Sequence, residues 1–180
     1  MPSMKDNKEF DTARDYVKKE SADINKIVDG IVDHYSSELD EFVIVVRDML
    51  QLVKEAKMQE YDDESLSMQT IKLPTLLYFA GNGLEAIGAD SDIAEYRRKE
   101  LFNEVMQSLV DTDYTIPDKK AEAEKKTEYE NMVKDIYDRS YKKLKLKIEH
   151  ATKLLESLKK VIDIRIAKIN KGKGSDNGGN

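Results

Sequence analysis

YDRSYKKLKLKIEHATKLLESLKKVIDIRIAKI, residues 137–169, is the stretch whose reading decides the fold. Its apolar residues recur at alternating intervals of four and three. With Tyr141, Ile148, Leu155, Ile162 and Ile169 at heptad position a, Tyr137, Leu144, Ala151, Leu158 and Arg165 fall at d. Residues at those positions share one side of an α-helix, because two helical turns take close to seven residues. The spacing predicts one long helix over 117–170 with a coiled-coil-like seam for a partner helix. That seam consists of Tyr137, Tyr141, Leu144, Ile148, Leu155, Leu158, Ile162 and Ile169. Leu154, Val161 and Ile166 widen it C-terminally, which predicts more than one covering surface there. Pro117 suits a first helical turn, led in by Thr115 or Ile116, and Asp118, Glu122 and Glu124 lie near the positive end of the helix dipole.

The same helix is basic. Between Arg139 and Lys173 stand twelve Lys or Arg against Glu149, Glu156 and Asp163, a local charge of +9 in a chain whose total is −6. The rest of the chain is therefore strongly acidic. Hydrophobic residues at 39% and charged residues at 37% describe long exposed helices better than one large core. Cys is absent, which removes disulfides, thiolate chemistry and Cys-type zinc sites and fits a cytoplasmic chain. The longest purely apolar run, residues 42–46, is too short to span a bilayer, and residues 1–20 have no signal-peptide core. A soluble protein without a membrane partner is expected.

Working outward, residues 1–20 read as a charged N-terminal arm with at most a short helix around Phe10–Lys19. From Ser21, capped by Asp23, Ile24, Ile27, Val28, Ile31, Tyr35, Leu39, Phe42, Val46, Met49, Leu50 and Val53 follow a helical period, predicting a long helix over 21–62. Residues 61–65 interrupt it, and Pro74 suits the first turn of a new helical segment over 72–110. There Leu76, Leu77, Phe79, Leu84, Ile87, Ile93, Tyr96, Leu101, Phe102, Val105, Met106 and Leu109 offer a core face, while Gly81, Gly83 and Gly88 predict a break or kink, with a division near Asp90. Residues 111–115 read as a loop and 171–180 as a flexible tail. The fold class expected is all-α, a bundle of long helices forming a single helical domain over 21–170.

No catalytic constellation emerges. Gly81-Asn82-Gly83 lacks the third glycine and the preceding strand of a dinucleotide loop, so no cofactor is expected. His34 and His150 are not in H-x-x-E or E-x-x-H pairs, and Glu85, Asp90, Asp92 and Glu95 read as solvated carboxylates rather than a di-iron set. No nucleophile is coupled to a base, so the chain reads as a non-enzyme with no metal ligands. The basic helix has two readings. In one, its lysines are a solvated face that pairs with acids of the N-terminal helix. In the other, they track phosphates and bind nucleic acid through counterion release, with Tyr129, Tyr137 and Tyr141 available to stack on bases, although the last two fit the seam.

Two pieces of this region carry a family resemblance. Residues 119–129, KKAEAEKKTEY, are similar to a motif of paired lysines followed by further basic residues and acid-Tyr. Residues 154–160, LLESLKK, are similar to a late apolar helix with a Leu-acid-x-apolar-Lys run. In both, the chain resembles phage recombination mediators of the UvsY kind, which oligomerise, bind single-stranded DNA and load a recombinase onto strands covered by single-strand-binding protein. Glu124 stands where that motif carries Lys, the two pieces are closer together than in the family, and residues 21–110 have no counterpart. The resemblance implies a homo-oligomer with single-stranded DNA and a recombinase or single-strand-binding protein as partners. It carries DNA contacts onto Lys125 and Lys126. With them, the outward lysines make the candidate nucleic-acid surface Lys125, Lys126, Arg139, Lys142, Lys143, Lys145, Lys147, Lys159 and Lys160. The alternative expectation is a coiled-coil interaction or virion-structural protein that binds no nucleic acid.

Overall fold

The computed structural model describes the backbone of residues 4–54 and 63–175, and the side chains of residues 19, 21–51 and 67–168. Among these residues the fold is all-α, with no strand. Helix α1 spans Met4–Lys54, α2 Asp63–Ser108, α3 Ile116–Lys126 and α4 Glu128–Ser175. Several boundaries differ from the sequence reading, each for a physical reason. Residues 4–20 are helical rather than a loose arm; they are rich in Lys, Asp and Glu and hold no Pro or Gly, so nothing in them breaks α1. Toward its other end α1 is described to Lys54, and the Val53 side chain and residues 55–62 of the helix expected over 21–62 lie outside the described residues. At the far end, helix continues through 171–175 of the expected tail, and 176–180 lie outside the described residues.

Helix α2 corrects the largest expectation. It runs unbroken through Gly81, Gly83 and Gly88, and Pro74 sits inside it rather than at its first turn. Leu73, Leu76, Ala80, Gly83, Ile87, Ala94, Val105 and Leu109 are buried along one side. A continuous buried face holds the helix together where its local propensity is poor. Phe79 and Ile93 each stand one residue off that line and are 61% and 51% exposed, and Tyr96 is 66% exposed. All three leave the predicted core, as does Ile27 of α1.

The expected helix over 117–170 is divided at Thr127. This residue is fully buried, and its hydroxyl donates to the carbonyls of Ala123 (3.0 Å) and Glu124 (3.2 Å). Its own N–H also donates to the Ala123 carbonyl, at 3.0 Å. The side chain thus satisfies carbonyls that the helix end leaves open. The start of α3 is a capping box. Asp118 N–H donates to Thr115 Oγ1, and Thr115 N–H donates to Asp118 Oδ2, with Pro117 in the first turn.

The helices form two compact units. The first comprises Met1–His34 and Glu85–Lys143, the second Tyr35–Leu84 and Leu144–Asn180. In the first, Val28, Val32, Ile87, Ala94 and Ile136 are buried, and Val105, Leu109 and Ala123 form a cluster with Leu101, Phe102 and Met106 packed against it. Tyr137 and Tyr141 are half-buried here, and the buried line of α4 passes instead through Ile136 and Ser140. Ser140 stays satisfied by donating to the Ile136 carbonyl at 2.8 Å.

In the second unit Leu39, Phe42, Val46 and Met49 of α1 are buried, as are Leu73, Leu76 and Ala80 of α2 and Leu144, Ala151, Leu155 and Leu158 of α4. Gly83 is placed so that a Cβ there would lie 2.5 Å from the Tyr35 ring. Only glycine lets α1 and α2 approach that closely. Of the remaining seam positions, Ile148, Ile162 and Arg165 are half-buried, Ile166 is exposed, and the Ile169 side chain lies outside the described residues.

Candidate nucleic-acid interface

The helices sort the basic residues by what they meet. In the second unit, Lys145, Lys153, Lys159, Lys160 and Lys168 are exposed on α4 and form no ion pair among the described residues. The four from 145 to 160 cover sixteen residues, roughly 23 Å of helix. Glu149 and Glu156 are exposed among them, so positive charge is in excess but not unbroken. Lys147 stands apart from this set. Its side chain is one-quarter exposed, and its ammonium is paired with Asp40 and donates to Ser36 Oγ at 3.0 Å. Ser36 is buried and also donates to Asp40, at 3.1 Å, which orients the carboxylate for the lysine.

In the first unit, Arg139 and Lys142 are exposed on α4, and Lys125 and Lys126 are exposed at the end of α3, where Lys126 lies 3.8 Å from Glu122. Lys143 is ion-paired with Asp29 of α1. Two of the nine predicted nucleic-acid residues, Lys143 and Lys147, are therefore committed to acids of the N-terminal helix. This is the pairing that the solvated-face reading expected. Tyr129 is 67% exposed, whereas Tyr141 lies beside Gly88, where a Cβ would meet its ring at 3.5 Å.

No protein-family model, curated protein or solved structure matches this chain.

Charge networks in the first unit went unread in the sequence. Glu95, expected as a free carboxylate, accepts from Arg98 through two hydrogen bonds of 3.0 Å and lies 3.1 Å from Lys99. The Arg98 bonds, followed by the Lys99 bond, lower its pKa from 4.5 to about 2. Lys134 donates to Asp138 at 2.6 Å, and Ser91 of α2 donates to the other oxygen of the same carboxylate. The Lys134 bond and then the Ser91 bond hold Asp138 below its ordinary 3.8, and Asp138 in turn raises Lys134. The i, i+3 and i, i+4 spacings of Glu95-Arg98-Lys99 and Lys134-Asp138 were the available signal. The reach of Ser91 to Asp138 had none. Among the described residues no group of three or more His, Asp or Glu is placed to hold a metal ion, and no helix is long and apolar enough to cross a membrane.

Proposed function

We propose that this chain is a non-enzymatic accessory protein of phage-type DNA recombination or replication, acting in the host cytoplasm, that holds single-stranded DNA on α4 and assists a recombinase. The observation that carries the reading is the set of exposed lysines Lys145, Lys153, Lys159 and Lys160, which form no ion pair among the described residues. Such lysines bind phosphates by releasing counterions, without sequence preference. The resemblance of residues 119–129 and 154–160 to phage mediators supplies the choice of single strands and of a recombinase partner. Met68, Ile71, Tyr78 and Phe79 of α2 stand exposed and supply apolar surface for a further copy of the chain or for that partner.

The test is binding to a fluorescently labelled single-stranded oligonucleotide by anisotropy across a salt series. Replacing Lys145, Lys153, Lys159 and Lys160 together by Gln weakens binding about tenfold or more at low salt, and flattens the slope of log affinity against log salt by about 3. Unchanged binding would remove the surface.

The ion pairs Lys143–Asp29 and Lys147–Asp40 favour a second reading, an interaction or virion-structural assembly protein whose lysines serve helix pairing. It predicts association that responds to salt in sedimentation without any nucleic acid.

A further inference from the structure

A cleft of about 520 Å³ opens between α2 and α4 in the first unit, a size typical of small-ligand sites. Ala94, Leu101 and Val133 line it with apolar surface, and Tyr129 and Tyr137 bring two phenol rings. Its charged lining is Asp90, Arg97, Glu100, Glu104 and Glu130. None of these five forms an ion pair among the described residues. Outside the lining, the same two helices pair Glu95 with Arg98 and Lys99, and Lys134 with Asp138. The five charges of the lining thus stand without a partner of opposite sign among the described residues, with four carboxylates against one guanidinium.

The register of α2 sharpens the contrast. Ile87, Ala94 and Leu101 recur every seven residues on its inner side and are buried or half-buried. Asp90, Arg97 and Glu104 follow each of them by three, where an apolar residue would close a helix–helix seam. Charges at those positions keep the seam open. In addition, Glu130 Oε2 is shut off from solvent and has no hydrogen-bond partner among the described residues. A buried acceptor left unpaired opposes folding, and a rotation of the carboxylate toward a donor held in the cleft relieves it.

We propose that this cleft binds an organic cation, an ammonium or guanidinium group on an aliphatic stem. Glu130 accepts a hydrogen bond from the cationic head, with Asp90, Glu100 and Glu104 completing a field of four carboxylates against the one guanidinium of Arg97. The rings of Tyr129 and Tyr137 add cation–π attraction, and Ala94, Leu101 and Val133 receive the stem. Two sources share this chemistry, a Lys or Arg side chain of a basic peptide and a free polyamine.

The experiment titrates the full chain with a fluorescein-labelled oligo-arginine peptide, its citrulline counterpart, and spermidine as competitor. Glu130→Gln and Tyr129→Ala are each compared with Glu149→Gln, an exposed carboxylate in the second unit. The expected result is binding of the arginine but not the citrulline peptide, weakened at least fivefold by Glu130→Gln and by Tyr129→Ala and unaffected by Glu149→Gln. Displacement by spermidine at concentrations comparable to the peptide identifies a polyamine site. Spermidine failing to displace identifies a peptide-borne side chain. Equal losses in all three variants would show diffuse attraction to an acidic protein and overturn the site, as would no binding of either cation. Glu130→Gln also melts at or above the wild-type temperature without ligand, whereas a residue serving only the fold would lower it. Tyr129 is largely exposed, so its replacement keeps the test independent of folding.

Discussion

At the scale of single residues, Gly83 and Glu95 show how a neighbour decides what a residue is worth. Gly83→Ala would gain about 1 kcal/mol in helix propensity, but its Cβ would lie 2.5 Å from the Tyr35 ring. Overpacking of that kind costs about 1–3 kcal/mol, so the variant unfolds at lower urea than the wild type. Gly30→Ala and Gly81→Ala meet nothing within 4 Å and keep the propensity gain. Each should raise the urea midpoint, by about 0.5–1 kcal/mol in stability. Glu95 makes a prediction in pH. Its pKa in the folded chain, about 2, lies below its ordinary 4.5. The stabilisation from Arg98 and Lys99 is therefore complete above pH 4.5 and is lost as pH falls through 2. The stability difference between wild type and Glu95→Gln, followed by thermal melts, is constant near neutrality and shrinks across that window. Its size is about 1 kcal/mol or less, since these side chains stay partly exposed.

At the scale of elements, α2 shows where local rules and tertiary packing disagree. Pro74 lacks the N–H that an interior helical position donates, yet the helix continues through it. Pro74→Ala should stabilise the chain by about 1–3 kcal/mol, measured as a shift in the urea midpoint with unchanged slope. The helical class, the α4 period and the Thr115 cap were legible because they are written in local spacing. Leu144, Leu155 and Leu158, the deepest of the predicted seam residues, came from the heptad pattern alone. The continuity of α2 was not legible, because its buried face is covered by residues far away in sequence, as where Gly83 meets the Tyr35 ring 48 residues away. Thr127 was hidden for a similar reason. A threonine inside a helical pattern gives no sign that its hydroxyl will close one helix and release another. Ser36 and Ser140, both buried, break the apolar pattern and are visible as core only once their acceptors are seen.

At the scale of the whole molecule, the separation of charge was plain in the sequence, with +9 between 139 and 173 in a chain of −6. What the composition left open was which lysines are spoken for. Asp29 and Asp40 claim Lys143 and Lys147, while Lys145, Lys153, Lys159 and Lys160 remain with solvent. The cleft lined by Asp90, Arg97 and Glu130 was equally unreadable, since it arises where two helices decline to close over charged positions. The decisive measurement is the salt dependence of single-stranded DNA binding for two variants side by side, one with Lys145, Lys153, Lys159 and Lys160 replaced by Gln, the other with Lys143 and Lys147 replaced. The first variant is expected to lose affinity and to flatten the slope by about 3, while the second keeps the wild-type slope. A wild-type slope in the first variant, or no binding by the unaltered protein even at low salt, would contradict this and leave α4 as a solvated helix face.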